Sequence, residues 1–368
     1  MKRIAVVTGS RADFGLLRPV IAAIAAEPEL ELRLVVTGTH LLPPSFTHET
    51  VSAQFDVATR IPMQVAGEVG RDADAAALGR GVSQLAQEFA ESHPDVVLVL
   101  GDRIEAFAAA AAAAVGGRHV GHIHGGDRAE GVADDAMRHA ITKLAHLHFT
   151  ASPASTERVL AMGEEPRRTF LVGSPALDDL PAMGPVDDAT FAELGEPAVL
   201  FLLHPSGDDD DVEQERAGAL LARCLEIGRV LAVDPNHDPG RVGIVRALDA
   251  FPDVTRVPHL PRETFVGLLR RVRMIVGNSS AGLIEAAAIP VRCVNVGPRQ
   301  SGREKPAHVF NCPTWDIRAI DLALSRAETE PVLSVKHRFG RGDSGRRIAQ
   351  LLRKVDLAAL PVRKQNTY

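Results

Sequence analysis

Short runs of β-branched and aliphatic residues recur along this chain, each separated from the next by a stretch rich in alanine and leucine. In the first half these runs are RIAVVT (3–8), ELRLVVT (31–37), VVLVL (96–100), HVGHI (119–123), and residues 147–150 and 169–172. Apolar runs without polar alternation are what strands buried on both faces of a parallel sheet require, and the intervening segments read as helices, among them residues 14–26 and the alanine run 106–115. The segment 181–197, PAMGPVDDATFAELGEP, breaks the pattern with its prolines, glycines and acids and reads as a linker holding a short helix. The alternation then resumes with residues 198–203, 229–233, 254–257, 274–276 and 291–296. The expected fold is therefore α/β, with two Rossmann-like domains covering residues 1–180 and 198–342. A length of 368 residues, about two to three ordinary domains, agrees.

Composition removes several function classes. The chain has 13 Phe, one Trp (Trp315) and one Tyr (Tyr368), too few rings for a binder that stacks successive bases of a single strand. Lys and Arg number 41 against 47 Asp and Glu, a formal charge of −6, which argues against nucleic-acid and anionic-membrane partners. Any anionic ligand must then be held by a local cluster of positive groups. Cys224, Cys293 and Cys312 stand far apart and in no CxxC spacing, as reduced thiols of a cytoplasmic protein do. The first fifteen residues hold too short an apolar core for a signal peptide, and no window approaches the ~18 apolar residues of a spanning helix. A soluble cytoplasmic protein is expected.

Ligands of open parallel sheets lie beyond the carboxyl ends of the strands, so the loops there carry the candidate chemistry. Gly9-Ser-Arg11-Ala-Asp-Phe-Gly15 follows the first run and lacks the GxGxxG spacing of a dinucleotide site; Arg11 either reaches a phosphate at the helix start or is a surface arginine beside a cap. Asp102 ends the third run and either caps the next helix or serves catalysis. His122-Ile-His124-Gly-Gly-Asp127 leads into a helix opening with Asp134 and Asp135, where helical spacing sets Arg138 one turn after Asp134 and His139 one turn after Asp135. The pairs His122/His124 and His146/His148 sit at i,i+2 on strands and point to opposite faces, so no metal site is expected. His204 ends the run 198–203, a position from which a histidine titrating near neutrality acts as acid or base.

The strongest local signal is Gly277-Asn-Ser279-Ser280-Ala-Gly282-Leu-Ile-Glu285, a strand-to-helix turn of small, hydroxyl-bearing residues. Backbone N–H groups, two hydroxyls and the positive end of a helix suit a diphosphate, and Glu285 could accept the hydroxyls of a ribose. Arg299 and Arg303 add positive charge after the last run.

In this order, TGSRADFG (8–15), GDRIEA (101–106), HIHGGD (122–127), DDAMRHAITKLAHLHF (134–149), HP (204–205), GNSSAG (277–282) and RQSGRE (299–304) resemble the hydrolysing UDP-N-acetylglucosamine 2-epimerases, in the bacterial sialic-acid and legionaminic-acid branch. The resemblance spans nearly the whole chain. It implies two Rossmann-like domains facing across a cleft (the GT-B type), a final helix within 343–368 packing back on the first domain, homodimers or homotetramers, and no nicotinamide or other cofactor. The implied reaction converts a UDP-2-acetamido sugar and water to UDP and the free C2 epimer through a 2-acetamidoglucal. By family position Asp102, Asp135 and His204 are acid–base candidates supported by Asp134 and Arg138, with His124 beside them. Ser279, Ser280, Gly282, Arg11, Arg299 and Arg303 are the diphosphate candidates. The rival readings are a GT-B glycosyltransferase and a nucleotide-sugar-binding regulator without turnover.

Overall fold

Among the described residues, thirteen parallel strands carry the alternation into structure. In the computed structural model, residues 1–368 are described except 44–45, 69, 129–134, 237, 332–337, 366 and 368. Two units form, one of Met1–Asp127, Asp134–Asp178 and Phe339–Tyr368, the other of Arg128–Ala133 and Asp179–Arg338.

The first unit holds β1 (Lys2–Thr8), β2 (Leu30–Thr37), β3 (Val57–Ile61), β4 (Val96–Leu100), β5 (His119–Ile123), β6 (Leu147–Thr150) and β7 (Thr169–Leu171). They form a seven-stranded sheet in the order β3-β2-β1-β4-β5-β6-β7. Successive residues of one strand enter different cores: Ile4 and Val6 join one apolar cluster, Ala5 and Val7 another on the opposite face. That two-sided burial is the reason the strands read as unbroken apolar runs. The helix Arg11–Ala25 covers one face with Phe14, Leu17, Val20, Ile21 and Ile24, and Ile348, Ala349 and Leu352 of the helix Ser344–Lys354 belong to the same cluster. On the other face the alanines of the helix Ile104–Val115 leave room for the helix Arg71–Ser92 to approach closely.

The second unit holds β8 (Val199–Leu202), β9 (Val230–Val233), β10 (Thr255–Val257), β11 (Met274–Gly277), β12 (Arg292–Val296) and β13 (Val309–Cys312), in the order β10-β9-β8-β11-β12-β13. In both sheets the strand order reverses beside the first strand, at β1/β4 and at β8/β11. Ligands of this architecture bind at such switch points.

Three expectations need correction. The helix after β1 starts at Arg11 and not at 14, because the Ser10 hydroxyl accepts the Asp13 N–H while the Asp13 carboxylate accepts the Ser10 N–H, a capping box that begins before the apolar stripe. Strands β3 and β13 had no expected counterpart. Both are sheet edges, and β3 alternates between exposed and sheltered residues, so neither shows a long apolar run. Residues 181–197 hold the short helix expected of them, Asp188–Glu193, and are part of the second unit rather than a segment of their own. They are packed on the second unit, where Arg271 donates to the Val186 carbonyl (3.0 Å) and lies 4.0 Å over the Phe191 ring. None of the helices among the described residues is long and apolar enough to cross a membrane.

Candidate active site

In the first unit the loops after β4 and β5 and the helix Asp135–Leu144 meet at one guanidinium. Arg138 is 3% exposed. It forms an ion pair with Asp102, a 2.8 Å pair with Asp135, and donates to the Asp127 backbone carbonyl at 2.9 Å. Two partly exposed carboxylates thus share one buried cation. His139 lies 3.5 Å from the other oxygen of Asp135. Asp134, expected to support this cluster, lies outside the described residues.

His124 is one step removed. Its φ is 65°, a left-handed conformation that costs a non-glycine residue about 1 kcal/mol or more. Its Nδ1–H donates to the Asp127 carboxylate (2.9 Å), and the Ser174 hydroxyl lies 3.0 Å from Nε2. The second Asp127 oxygen accepts from the Ser155 hydroxyl at 2.7 Å. Both ring nitrogens of His124 are therefore engaged by the protein. Its geometry suits holding the Asp127 loop, whose carbonyl in turn holds Arg138, better than meeting a substrate. The remaining histidines of the His-x-His pairs are likewise used separately: His122 donates to the Gly101 carbonyl (2.7 Å), His146 to that of Val362 (3.0 Å) and His148 to Glu164 (2.9 Å). Among the described residues no three His, Cys, Asp or Glu side chains are gathered as around a metal ion.

Arg11 is the first residue of its helix, beside the β1 end of the same switch point. There Gly9 is packed against Glu105, whose side-chain carbons would lie 2.4–2.5 Å from an added Cβ, so the loop after β1 meets the first turn of the helix Ile104–Val115 only without a side chain at position 9.

In the second unit β8 and β11 end side by side. Gly277 has φ +146°, and a Cβ there would lie 2.1 Å from the Leu202 carbonyl oxygen, so the turn needs glycine. The next residue, Asn278, is fully buried. Its Oδ1 accepts the His204 N–H and its Nδ2 donates to the His204 carbonyl, both at 2.8 Å. The Asn278 carbonyl accepts from Gln300 (2.8 Å) and Arg299 (3.3 Å). His204 Nδ1 accepts the Asn236 N–H at 3.2 Å. Partial burial of the ring, with the Arg299 charge nearby, lowers the His204 pKa to about 3. A histidine titrating near neutrality, as expected from the strand-end position, is not what this surrounding produces.

Ser279 caps a single 3₁₀ turn, Ser280–Gly282, its hydroxyl 3.4 Å from the Ala281 N–H. The helix that follows is only Glu285–Ala288 and stops because Ile289 is held extended ahead of Pro290. The helix end expected here thus belongs to one short turn, leaving hydroxyls and backbone N–H groups as the main anion-directed features. Gly282 has a packing reason as well: a Cβ there would lie 2.5 Å from the Cys293 sulphur. Glu285 is buried, 3.9 Å from Arg262. Arg303 donates to the Arg128 carbonyl at 3.3 Å. Trp315 packs on Gly297 with Arg216 5.2 Å from its ring centre, and Tyr368 lies outside the described residues. Asn278, Asp127, Ser174 and Asn236 were not singled out in sequence. Only Asn278 and Asp127 had a signal there, since each belongs to a motif already noted.

A family model described as UDP-N-acetylglucosamine 2-epimerase matches residues 22–353. The chain belongs to that family. It is 33% identical, over the full length of both chains, to a hydrolysing UDP-N,N'-diacetylbacillosamine 2-epimerase of Legionella pneumophila. It is 32% identical to a UDP-N-acetylglucosamine 2-epimerase of Neisseria meningitidis serogroup B, covering 94% of this chain and 92% of that one. The fold is also that of the S. aureus MnaA–UDP co-structure, with a TM-score of 0.82 at 17% identity and complete coverage of both chains. The two parallel-sheet units are thus those of the epimerase family's GT-B-type fold.

Proposed function

We propose that this epimerase-family chain is a hydrolysing 2-epimerase, which converts a UDP-2-acetamido sugar and water to UDP and the free C2-inverted sugar. The observation that carries the reading is the pair of carboxylates, Asp102 and Asp135, on the single buried cation Arg138. The C2 proton is not next to a carbonyl, so its removal must accompany loss of the nucleotide. The C2–H electrons form the C1=C2 bond of a 2-acetamidoglucal, the C1–O electrons leave with UDP, and the proton passes to a carboxylate. Water then adds its oxygen to C1 while a proton returns to the opposite face of C2. Two carboxylates, one to take a proton and one to return it, are the groups this chemistry requires. Ser279, Ser280, Arg299, Arg303 and Arg11 are assigned to the departing diphosphate, where charge develops, and Glu285 to the ribose. A GT-B glycosyltransferase would need no such acid–base pair. The free epimer would feed nonulosonic-acid biosynthesis in the cytoplasm, with the chain acting as a homo-oligomer.

The substrate's C4 and C6 substituents are the open choice, since the Legionella relative is named for a diacetamido sugar and the meningococcal one for N-acetylglucosamine. Turnover should be compared on UDP-N-acetylglucosamine, UDP-N,N'-diacetylbacillosamine and the GDP form of each. One UDP donor is expected to exceed the others by about tenfold or more in kcat/KM, the discrimination that one or two pocket contacts provide. Release of nucleotide from none of them would remove the hydrolysing reading.

A further inference from the structure

His122 lies within β5, fully buried, between the two chain segments that carry the carboxylate pair. Its Nε2–H donates to the Gly101 carbonyl at 2.7 Å, and Gly101 is the residue before Asp102. The Gly101 N–H is held as well, donating to the Ile123 carbonyl at 3.0 Å. On the other side of the ring, Nδ1 lies 3.1 Å from the hydroxyl of Thr142, a fully buried residue one helical turn beyond Arg138. A carbonyl has no proton to offer, so Nε2 carries the ring proton. Burial lowers the His122 pKa to about 3 and keeps the ring neutral, so Nδ1 presents a lone pair to the Thr142 hydroxyl. The same hydroxyl is 3.0 Å from the Arg138 carbonyl, so its one proton is divided between the ring nitrogen and the backbone of the residue that holds both carboxylates. The links Gly101–His122–Thr142–Arg138 thus close a ring with the Asp102–Arg138 ion pair. Gly125 leaves this junction clear, since a Cβ there would lie 2.9 Å from His122 Nδ1 and 3.1 Å from Thr142 Oγ1.

We infer that His122 and Thr142 are positioning residues, a tie between the loop after β4 and the helix Asp135–Leu144 that sets Asp102 against Arg138 and Asp135. The inference rests on the proposed epimerase chemistry, in which these carboxylates exchange protons with C2. An ion pair holds the Asp102 side chain by its tip, whereas the tie fixes the backbone from which that side chain starts. Proton transfer requires a carboxylate within hydrogen-bond reach of its target, and a displacement of about 1 Å can cost about 10²-fold in rate. His122 and Thr142 are sealed from solvent, so they act through Asp102 and Arg138 and not on the substrate.

Replacing His122 itself would empty a fully buried site, so the test is placed on Thr142, where valine keeps the shape and removes the hydroxyl. In ¹⁵N-histidine-labelled, ligand-free protein, His122 is expected to show the Nε2–H tautomer. T142V is expected to move its Nδ1 signal to that of an unbonded ring nitrogen and to leave the Nε2–H in place. An Nδ1–H tautomer, or an Nδ1 signal unmoved in T142V, would overturn the inference whatever the enzyme's substrate proves to be. In turnover, T142V is expected to lose about 10- to 10²-fold in kcat per folded molecule. Its KM should stay within about threefold, since the diphosphate is assigned to other residues. T142S, which restores the hydroxyl, is expected to return to within about threefold of the wild-type kcat. A lowered melting temperature with unchanged kcat in T142V would show a purely structural contact and contradict the positioning role. The D102N/T142V double variant is expected to be no slower than D102N alone, because the tie acts through Asp102. Losses that multiply would remove Asp102 as the group being positioned. The expected spectra together with no turnover of any UDP-2-acetamido sugar would instead fault the epimerase reading and leave the tie itself standing.

Discussion

Replacing Arg138 with methionine is expected to lower stability by about 3 kcal/mol and to abolish turnover. The magnitude follows from what remains behind. Removing the cation of a buried pair typically costs about 3–5 kcal/mol, because the surviving carboxylate loses compensation for the water it gave up. Here two carboxylates survive, but Asp102 and Asp135 are 20% and 26% exposed, so solvent screens part of their repulsion and the lower end applies. The Asp127 carbonyl also loses its donor, which releases the loop that His124, Ser155 and Ser174 hold. R138K should recover part of the stability and little of the activity, since an ammonium lacks the planar fork that reaches two carboxylates and a carbonyl together. Urea unfolding midpoints alongside kcat check both statements. A methionine variant of wild-type stability and activity would show that the cluster is a surface ion pair of no consequence.

The second large effect is expected from D102N and D135N. Each should lower kcat by about 10²- to 10⁴-fold, the range of a lost general acid or base. Their stabilities should change far less than that of R138M, because Arg138 keeps the other carboxylate and the Asp127 carbonyl in each case. Supplying the 2-acetamidoglucal directly separates the two half-reactions. A variant that still hydrates the glucal but no longer consumes the nucleotide sugar has lost the group that takes the C2 proton. If the reaction were glycosyl transfer, D102N would retain a substantial fraction of activity, and this would favour the rival class.

Much of this was legible in sequence because burial on both faces forces strands such as β1, β4 and β8 to be continuously apolar. Their ends, where polar residues suddenly appear, then mark the loops that carry Asp102, His124, His204 and Asn278. The strands β3 and β13 were not legible, since exposed residues interrupt their sheltered ones and neither shows an apolar run. The 181–197 segment looked like a linker because prolines and glycines signal irregular backbone, yet irregular backbone packs as firmly as helix when a residue such as Arg271 collects its carbonyls. The helix after Ser279 is short because Pro290 ends it within a turn of its start. The hydrogen bond that holds the His204 ring comes from Asn236, a residue 32 positions away with no motif of its own, and a backbone N–H contact leaves no mark in sequence.

The central claim, elimination and rehydration with inversion at C2, is tested most directly by running the reaction in D2O and following it by proton NMR. The expected result is UDP released together with free sugar that carries deuterium at an inverted C2. The solvent deuteron enters there when the glucal is protonated on the face opposite the one that lost its proton. Free sugar that keeps its original C2 proton, or a UDP-linked sugar returned with inverted C2 and no release of UDP, would contradict the account.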